Sequence, residues 1–135
     1  MTYQFWICQP INSYMHDMFF ATNTILFFMQ AGGMVPVREK SVKLTAYLEF
    51  LLKRELSEHV DIFTPPRPEE RGAQLSVIFK TADIDSIFDQ LQAAGIVSDK
   101  RKPNIMRISP APLYNTFCDV FSTVQELKRI VTATP

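Results

Sequence analysis

Apolar residues recur at helical spacing between residues 37 and 57. Leu44, Tyr47, Leu48, Leu51 and Leu52 stand at i, i+3, i+4, i+7 and i+8, which draws one stripe down a helix. Glu39 with Lys43 and Glu49 with Lys53 lie four apart in the favourable order, each pair adding roughly 0.2–0.5 kcal/mol. Pro36 precedes the run, where a first helical turn tolerates a residue without an N–H. The period then drops from 3.6 to two. "VDIFT" (60–64) reads as a short strand stopped by "PPRP", and "GAQLSVIFK" (72–80) as another, with Leu75, Val77 and Phe79 on one side and Gln74 and Ser76 on the other. Asp83 predicts an N-cap for a helix carrying Ile84, Ile87, Phe88 and Leu91, closed by Gly95. "IVSDKR" (96–101) and "IMRIS" (105–109) are two further strands. Asn115 is expected to cap a last helix with Phe117, Val120, Phe121, Val124, Leu127 and Val131 on one face.

Upstream, Met15, Met18, Phe19, Leu26 and Met29 fit a helix over residues 12–31, although Thr22, Asn23 and Thr24 interrupt it with poor helix formers. The apolar run "MFFATNTILFFM" (18–29) is too short for a bilayer, which takes about 20 residues. It also lacks the basic flank and the early position of a signal peptide. The element order is α-α-β-β-α-β-β-α. Short strands with helices between them predict an α/β sandwich with helices on one sheet face.

Charge excludes one function class. Fourteen basic and fourteen acidic residues cancel, so the chain carries no electrostatic footprint for nucleic acid. Length places the 135 residues in the range of one domain. Cys8 and Cys118 form no C-x-x-C pair and stand at no metal-ligand spacing, which favours free thiols in a reducing cytoplasm. No phosphate-binding glycine loop is present, since "AGGM" has neither a preceding strand nor the lysine.

Candidate chemistry is sparse. His16 and His59 are isolated, without the carboxylate or cysteine partner that gives a histidine a task, and they read as surface or helix-end residues. "PEERG" (68–72) offers two adjacent glutamates but reads as a solvated turn into a strand. Ser109 has no base beside it in sequence, and Cys118 is expected to pack on the last helix. Arg107 differs. On "IMRIS" it shares a face with Ile105, while Met106 and Ile108 point oppositely. Two readings are open for it. One is an edge-strand charge that blocks aggregation; the other is a guanidinium fork for a carboxylate, a geometry lysine does not reproduce. Pro110 and Pro112 stiffen the segment that follows.

Five collinear blocks, "KSVKLTAYLEFLL", "EERGAQLSV", "GIVSDKRKPN", "MRISPAPLYNTF" and the helix after them, resemble the C-terminal small domain of kynureninase over residues 34–131. The resemblance implies residues 34–135 as that domain, with a short-stranded, mainly antiparallel sheet of the fold-type I pyridoxal-phosphate class, and residues 1–33 as a divergent segment bearing an apolar helix. It implies a cytoplasmic, homodimeric hydrolase of tryptophan catabolism that converts L-kynurenine or 3-hydroxykynurenine to an anthranilate and L-alanine.

Two site residues are implied in the same way. Arg107 falls on the family's substrate-carboxylate arginine, with Tyr114 and Asn115 in the turn that supports it. "ICQPI" places Gln9 where the family carries a substrate-binding asparagine. The family's Schiff-base lysine and cofactor-phosphate ligands belong to a large domain, and none of Lys40, Lys43, Lys53, Lys80, Lys100, Lys102 or Lys128 matches that lysine. The resemblance therefore implies pyridoxal phosphate in the full enzyme, no cofactor on this chain alone, and a large domain and a second subunit as partners, with no nucleic acid and no membrane. Two alternatives are a non-enzymatic dimerisation or binding module, and the small domain of another aminotransferase-like enzyme.

Overall fold

The computed structural model describes residues 29–30, 32–80 and 83–133. The helix expected over 12–31 lies outside them except for Met29 and Gln30, which are helical. The elements run α1 (Met34–Leu56), β1 (Val60–Ile62), a 3-10 turn (Pro68–Glu70), β2 (Leu75–Phe79), α2 (Ile84–Ala93), β3 (Asp99–Arg101), β4 (Ile105–Ile108) and α3 (Phe117–Ala133).

The four strands make one sheet in the order β1-β2-β4-β3, every neighbouring pair antiparallel. Burial alternates along β2 and β4 as the two-residue period requires. Leu75, Val77, Phe79, Met106 and Ile108 enter one core with the leucine stripe of α1, with Ile84, Ile87 and Leu91 of α2, and with Val120, Val124, Leu127 and Ile130 of α3. All three helices thus cover the same sheet face. Each such aliphatic side chain contributes about 1.5–3 kcal/mol on burial. Among the described residues, no helix is long and apolar enough to cross a membrane.

Several boundaries differ from the periodicity, for identifiable reasons. α1 begins at Met34 because its first turn needs no internal N–H donors, so Pro36 fits inside it. β2 is confined to 75–79. The Ser76 N–H is taken by the Thr64 hydroxyl at 2.8 Å, and on the other side Pro110, which has no N–H, follows soon after β4 ends. Asp83 caps α2 by accepting from the Asp85 N–H, and Gly95 follows in the left-handed region at φ 79°.

The last helix corrects three expectations. Its cap is Thr116, not Asn115: the Thr116 hydroxyl accepts from the Asp119 N–H at 3.2 Å, and the Asp119 carboxylate accepts from the Thr116 N–H at 2.8 Å. Phe117 and Phe121 are 46% and 43% exposed. Thr123 and Ile130 take the core positions instead, while Phe117 meets Tyr47 of α1 edge-to-face at 5.5 Å. Cys118 is exposed rather than packed.

The connection from β1 to β2 is clamped by arginines. Arg38 of α1 donates to the Pro68 carbonyl at 2.5 Å and the Arg71 carbonyl at 2.9 Å. Arg71, 4% exposed, reaches Glu49 of α1 at 2.6 Å, and Lys53 donates to the same carboxylate group at 2.5 Å. The glutamates of "PEERG" do lie exposed, but its arginine is buried against α1. Desolvation works against ionised Glu49, yet the hydrogen bonds from Lys53 and Arg71 outweigh it and hold the carboxyl below its ordinary 4.5. A depressed carboxyl stabilises the fold above its unfolded value and loses that contribution as pH falls through the folded one. Glu55, held down by Lys128 and Arg54, and Asp85, held down by Lys100, act in the same direction. Urea midpoints are therefore expected to hold steady above pH 5 and to fall progressively below about pH 4.5, with a shallower fall in Glu49→Gln. At neutral pH, Arg71→Met should cost roughly 1–3 kcal/mol; an unchanged midpoint would show that the pair contributes nothing.

Candidate functional site

The sheet face turned away from the helices carries the candidate site. Residues on it are those out of phase with the core: Ser76 and Ile78 on β2, Ile105 and Arg107 on β4, Asp99 and Arg101 on β3. Arg107 sits on an interior strand, opposite Ser76 on one side and Asp99 on the other. That placement removes the edge-strand reading, because β4 presents no free edge to protect.

β4 holds Arg107 rigidly through its neighbours in the chain. Met106 is fully buried and Ile108 is 3% exposed, so the backbone on both sides of Arg107 is pinned into the core. Beyond the strand, Asn115 is buried and braces the turn over residues 111–115 from both sides. Its side-chain oxygen accepts from the Ala111 N–H at 2.7 Å, and its own N–H donates to the Ala111 carbonyl at 2.8 Å. Asn115 therefore acts on the turn next to Arg107 rather than on the helix. Tyr114, in the same turn, is exposed.

The Arg107 side chain is 34% exposed and pairs through Nη2 with Oδ2 of Asp99. The same oxygen accepts from Nε of Arg101 at 3.2 Å and from its Nη2 at 3.1 Å. Nε of Arg107 is buried and, among the described residues, has no hydrogen-bond partner. Two guanidinium groups thus share one carboxylate, leaving a cluster of net charge +1 by formal count. Chemically, such an excess of guanidinium over carboxylate attracts small anions. The sequence reading missed Asp99 and Arg101. A signal for them existed: "DKRKPNIMR" read as a hairpin around residues 102–104 places 99 opposite 107, and 101 opposite 105.

Other sequence candidates do not join this face. His59 sits in the turn after α1, its carbonyl accepting from the Lys80 N–H at 2.9 Å, and Gln9, His16 and Cys8 lie outside the described residues. No group of three or more potential metal ligands occurs among the described residues. Four of the lysines point to other tasks. Lys53, Lys80, Lys100 and Lys128 are ion-paired to Glu49, Asp61, Asp85 and Glu55, and Lys100 faces the helices, over the Phe88 ring at 4.7 Å.

Similarity to known proteins bears on the domain as a whole. The family profile described as the kynureninase C-terminal domain matches residues 37–127. Kynureninase 2 of Emericella nidulans is 45% identical over 109 residues, covering 78% of this chain and 23% of that protein. Kynureninase 2 of Neurospora crassa is 50% identical over 95 residues, covering 68% and 20%. The kynureninase of Monosiga brevicollis is 48% identical over 105 residues, covering 74% and 23%. The chain therefore spans about a fifth to a quarter of the length of these relatives. A solved NifS-like protein superposes with a TM-score of 0.62 at 22% identity over 72% of this chain and 28% of the other, a likeness of fold.

The brace beneath the site is testable on its own. Asn115→Ala leaves the half-buried Ala111 N–H without its acceptor and is expected to cost roughly 1–3 kcal/mol. Amide hydrogen exchange at Ala111 should quicken well before the sheet amides of β2 and β4 do. Equal acceleration everywhere would mean that Asn115 supports the whole domain and not this turn.

Proposed function

Because this chain belongs to the kynureninase family through that family's C-terminal domain, we propose that it is the small domain of a cytoplasmic kynureninase-like hydrolase. Such an enzyme cleaves L-kynurenine or 3-hydroxykynurenine to anthranilate or 3-hydroxyanthranilate and L-alanine. The domain occupies residues 34–135, and Arg107 binds the α-carboxylate of the amino-acid substrate. The observation that carries this reading is an arginine on an interior strand, on the sheet face that the helices leave open, with its side chain partly exposed and already engaging a carboxylate. Its fork pairs two N–H groups with two carboxylate oxygens and so fixes orientation as well as charge. Held this way, the substrate presents its side chain in one pose to the groups that react.

Pyridoxal phosphate and the lysine that carries it are assigned to the large domain of the full enzyme, where the cofactor supplies the electron sink for bond cleavage. The 135 residues by themselves are then catalytically silent. Their surface supports a covering partner: Tyr114, Phe117 and Phe121 stand exposed around the start of α3, more aromatic surface than an isolated domain needs. A large domain or a second subunit of a homodimer accounts for it.

Two outcomes are expected. With residues 34–135 grafted onto a kynureninase large domain, Arg107→Ala should weaken substrate binding by about ten- to a hundredfold or more, since a charge-assisted pair contributes roughly 1.5–3 kcal/mol. Arg107→Lys should recover part of that. Unchanged kinetics with a large drop in melting temperature would make the arginine structural. For the chain alone, incubation with pyridoxal phosphate, borohydride reduction and peptide mass analysis should show no single stoichiometrically labelled lysine. One fully labelled site would overturn the assignment of the cofactor to the large domain.

A further inference from the structure

We infer that Asp99 is the positioning residue of the carboxylate site and that Arg101 keeps that site attractive to anions; the inference rests on the reading of Arg107 as the substrate-carboxylate ligand. Asp99 faces Arg107 directly across the β3–β4 pair, and the short connection over residues 102–104 fixes that register. A long arginine side chain on a sheet face open to solvent has many rotamers. The Asp99 carboxylate selects the one in which Nη2 is held at the β3 side, with Nε buried, so the guanidinium plane is set before substrate arrives. Pre-set geometry of this kind removes an ordering cost that binding would otherwise carry.

A lone Asp99–Arg107 pair would be neutral and would compete with an incoming carboxylate. Arg101 resolves that conflict. It donates twice to the same Oδ2, which draws charge from the oxygen that Arg107 uses and leaves the three-residue cluster with one net positive charge. Arg101 itself is largely exposed, its side chain at 61%, so its main polar partner at this site is Asp99. The arrangement is two cations on one anion, with the interior cation oriented for use and the edge cation supplying the excess charge.

The test uses the holoenzyme containing this domain, with L-kynurenine as probe, and compares kcat and KM for Asp99→Asn, Asp99→Ala and Arg101→Gln beside Arg107→Ala. Asp99→Ala should raise KM by at least about tenfold with a smaller change in kcat, because misplacement of a binding group by about 1 Å is already costly. Asp99→Asn, which keeps an acceptor oxygen of the same reach, should recover part of the loss. Arg101→Gln should raise KM modestly and weaken its dependence on ionic strength. A KM lowered by Asp99→Ala would show that Asp99 competes with substrate, and would overturn the proposal. So would wild-type KM in both Asp99 variants while Arg107→Ala remains impaired, an outcome that leaves the role of Arg107 standing. Wild-type KM in Arg107→Ala would sink the carboxylate reading itself. Should Asp99→Ala fail to fold, the Asp99→Asn series and its salt dependence carry the decision.

Discussion

The alternation of side chains along one interior strand governs this domain. β4 lies between β2 and β3, so its backbone is hydrogen-bonded on both sides, and its four residues must divide between two faces. Met106 and Ile108 enter the helix-covered core; Arg107, between them, has no choice but to leave it. A one-residue slip would drive a guanidinium into the leucine and isoleucine core and expel a fully buried methionine, a change of many kcal/mol. The same constraint that makes the core therefore presents a cation on the open face, at a fixed height and between two fixed neighbours.

A second set of charges does a different job. Arg38, Arg71 and Glu49 tie the long β1–β2 connection to α1, and Lys128 with Glu55 links α3 to the same helix. The loop holds little apolar material, with prolines and an exposed Phe63, so packing alone does not locate it. Guanidinium donors to its carbonyls do. The buried arginine of "PEERG" is thus structural, while the arginine on β4 has a side chain 34% exposed. The two are told apart by where their donors go: Arg71 is enclosed against α1, and Arg107 meets a carboxylate on an exposed sheet face.

Family membership and sheet geometry describe different levels of this domain. The match over residues 37–127 says which larger enzyme architecture this domain belongs with. The sheet topology explains, without reference to any relative, why an arginine at position 107 is held firmly and left accessible. Four of the lysines, Lys53, Lys80, Lys100 and Lys128, are ion-paired to carboxylates other than that of Asp99.

Read alone, the sequence determined the local elements and their faces. The leucine stripe of α1, the Asp83 cap, the Gly95 turn and the in–out pattern of β2 and β4 follow from periods of 3.6 and two, and the structure has them. The resemblance carried by five collinear blocks pointed to the family. Tertiary structure alone decided what depends on neighbours distant in sequence. Nothing in "IMRIS" says whether its strand is an edge, because edge status is a property of the sheet order. Periodicity put Phe117 and Phe121 inward, but the core space opposite α3 is filled by α1 and α2, and Thr123 and Ile130 lie nearer that seam. Asn115 looked like a helix cap because capping residues are also turn residues; Thr116, with Asp119 three positions on, made the better reciprocal pair. Asp99 became the partner of Arg107 only once a hairpin set their register. Local pattern is written in each residue's own preference, whereas pairing across strands depends on which backbones meet, and that is settled by the packing of the whole domain.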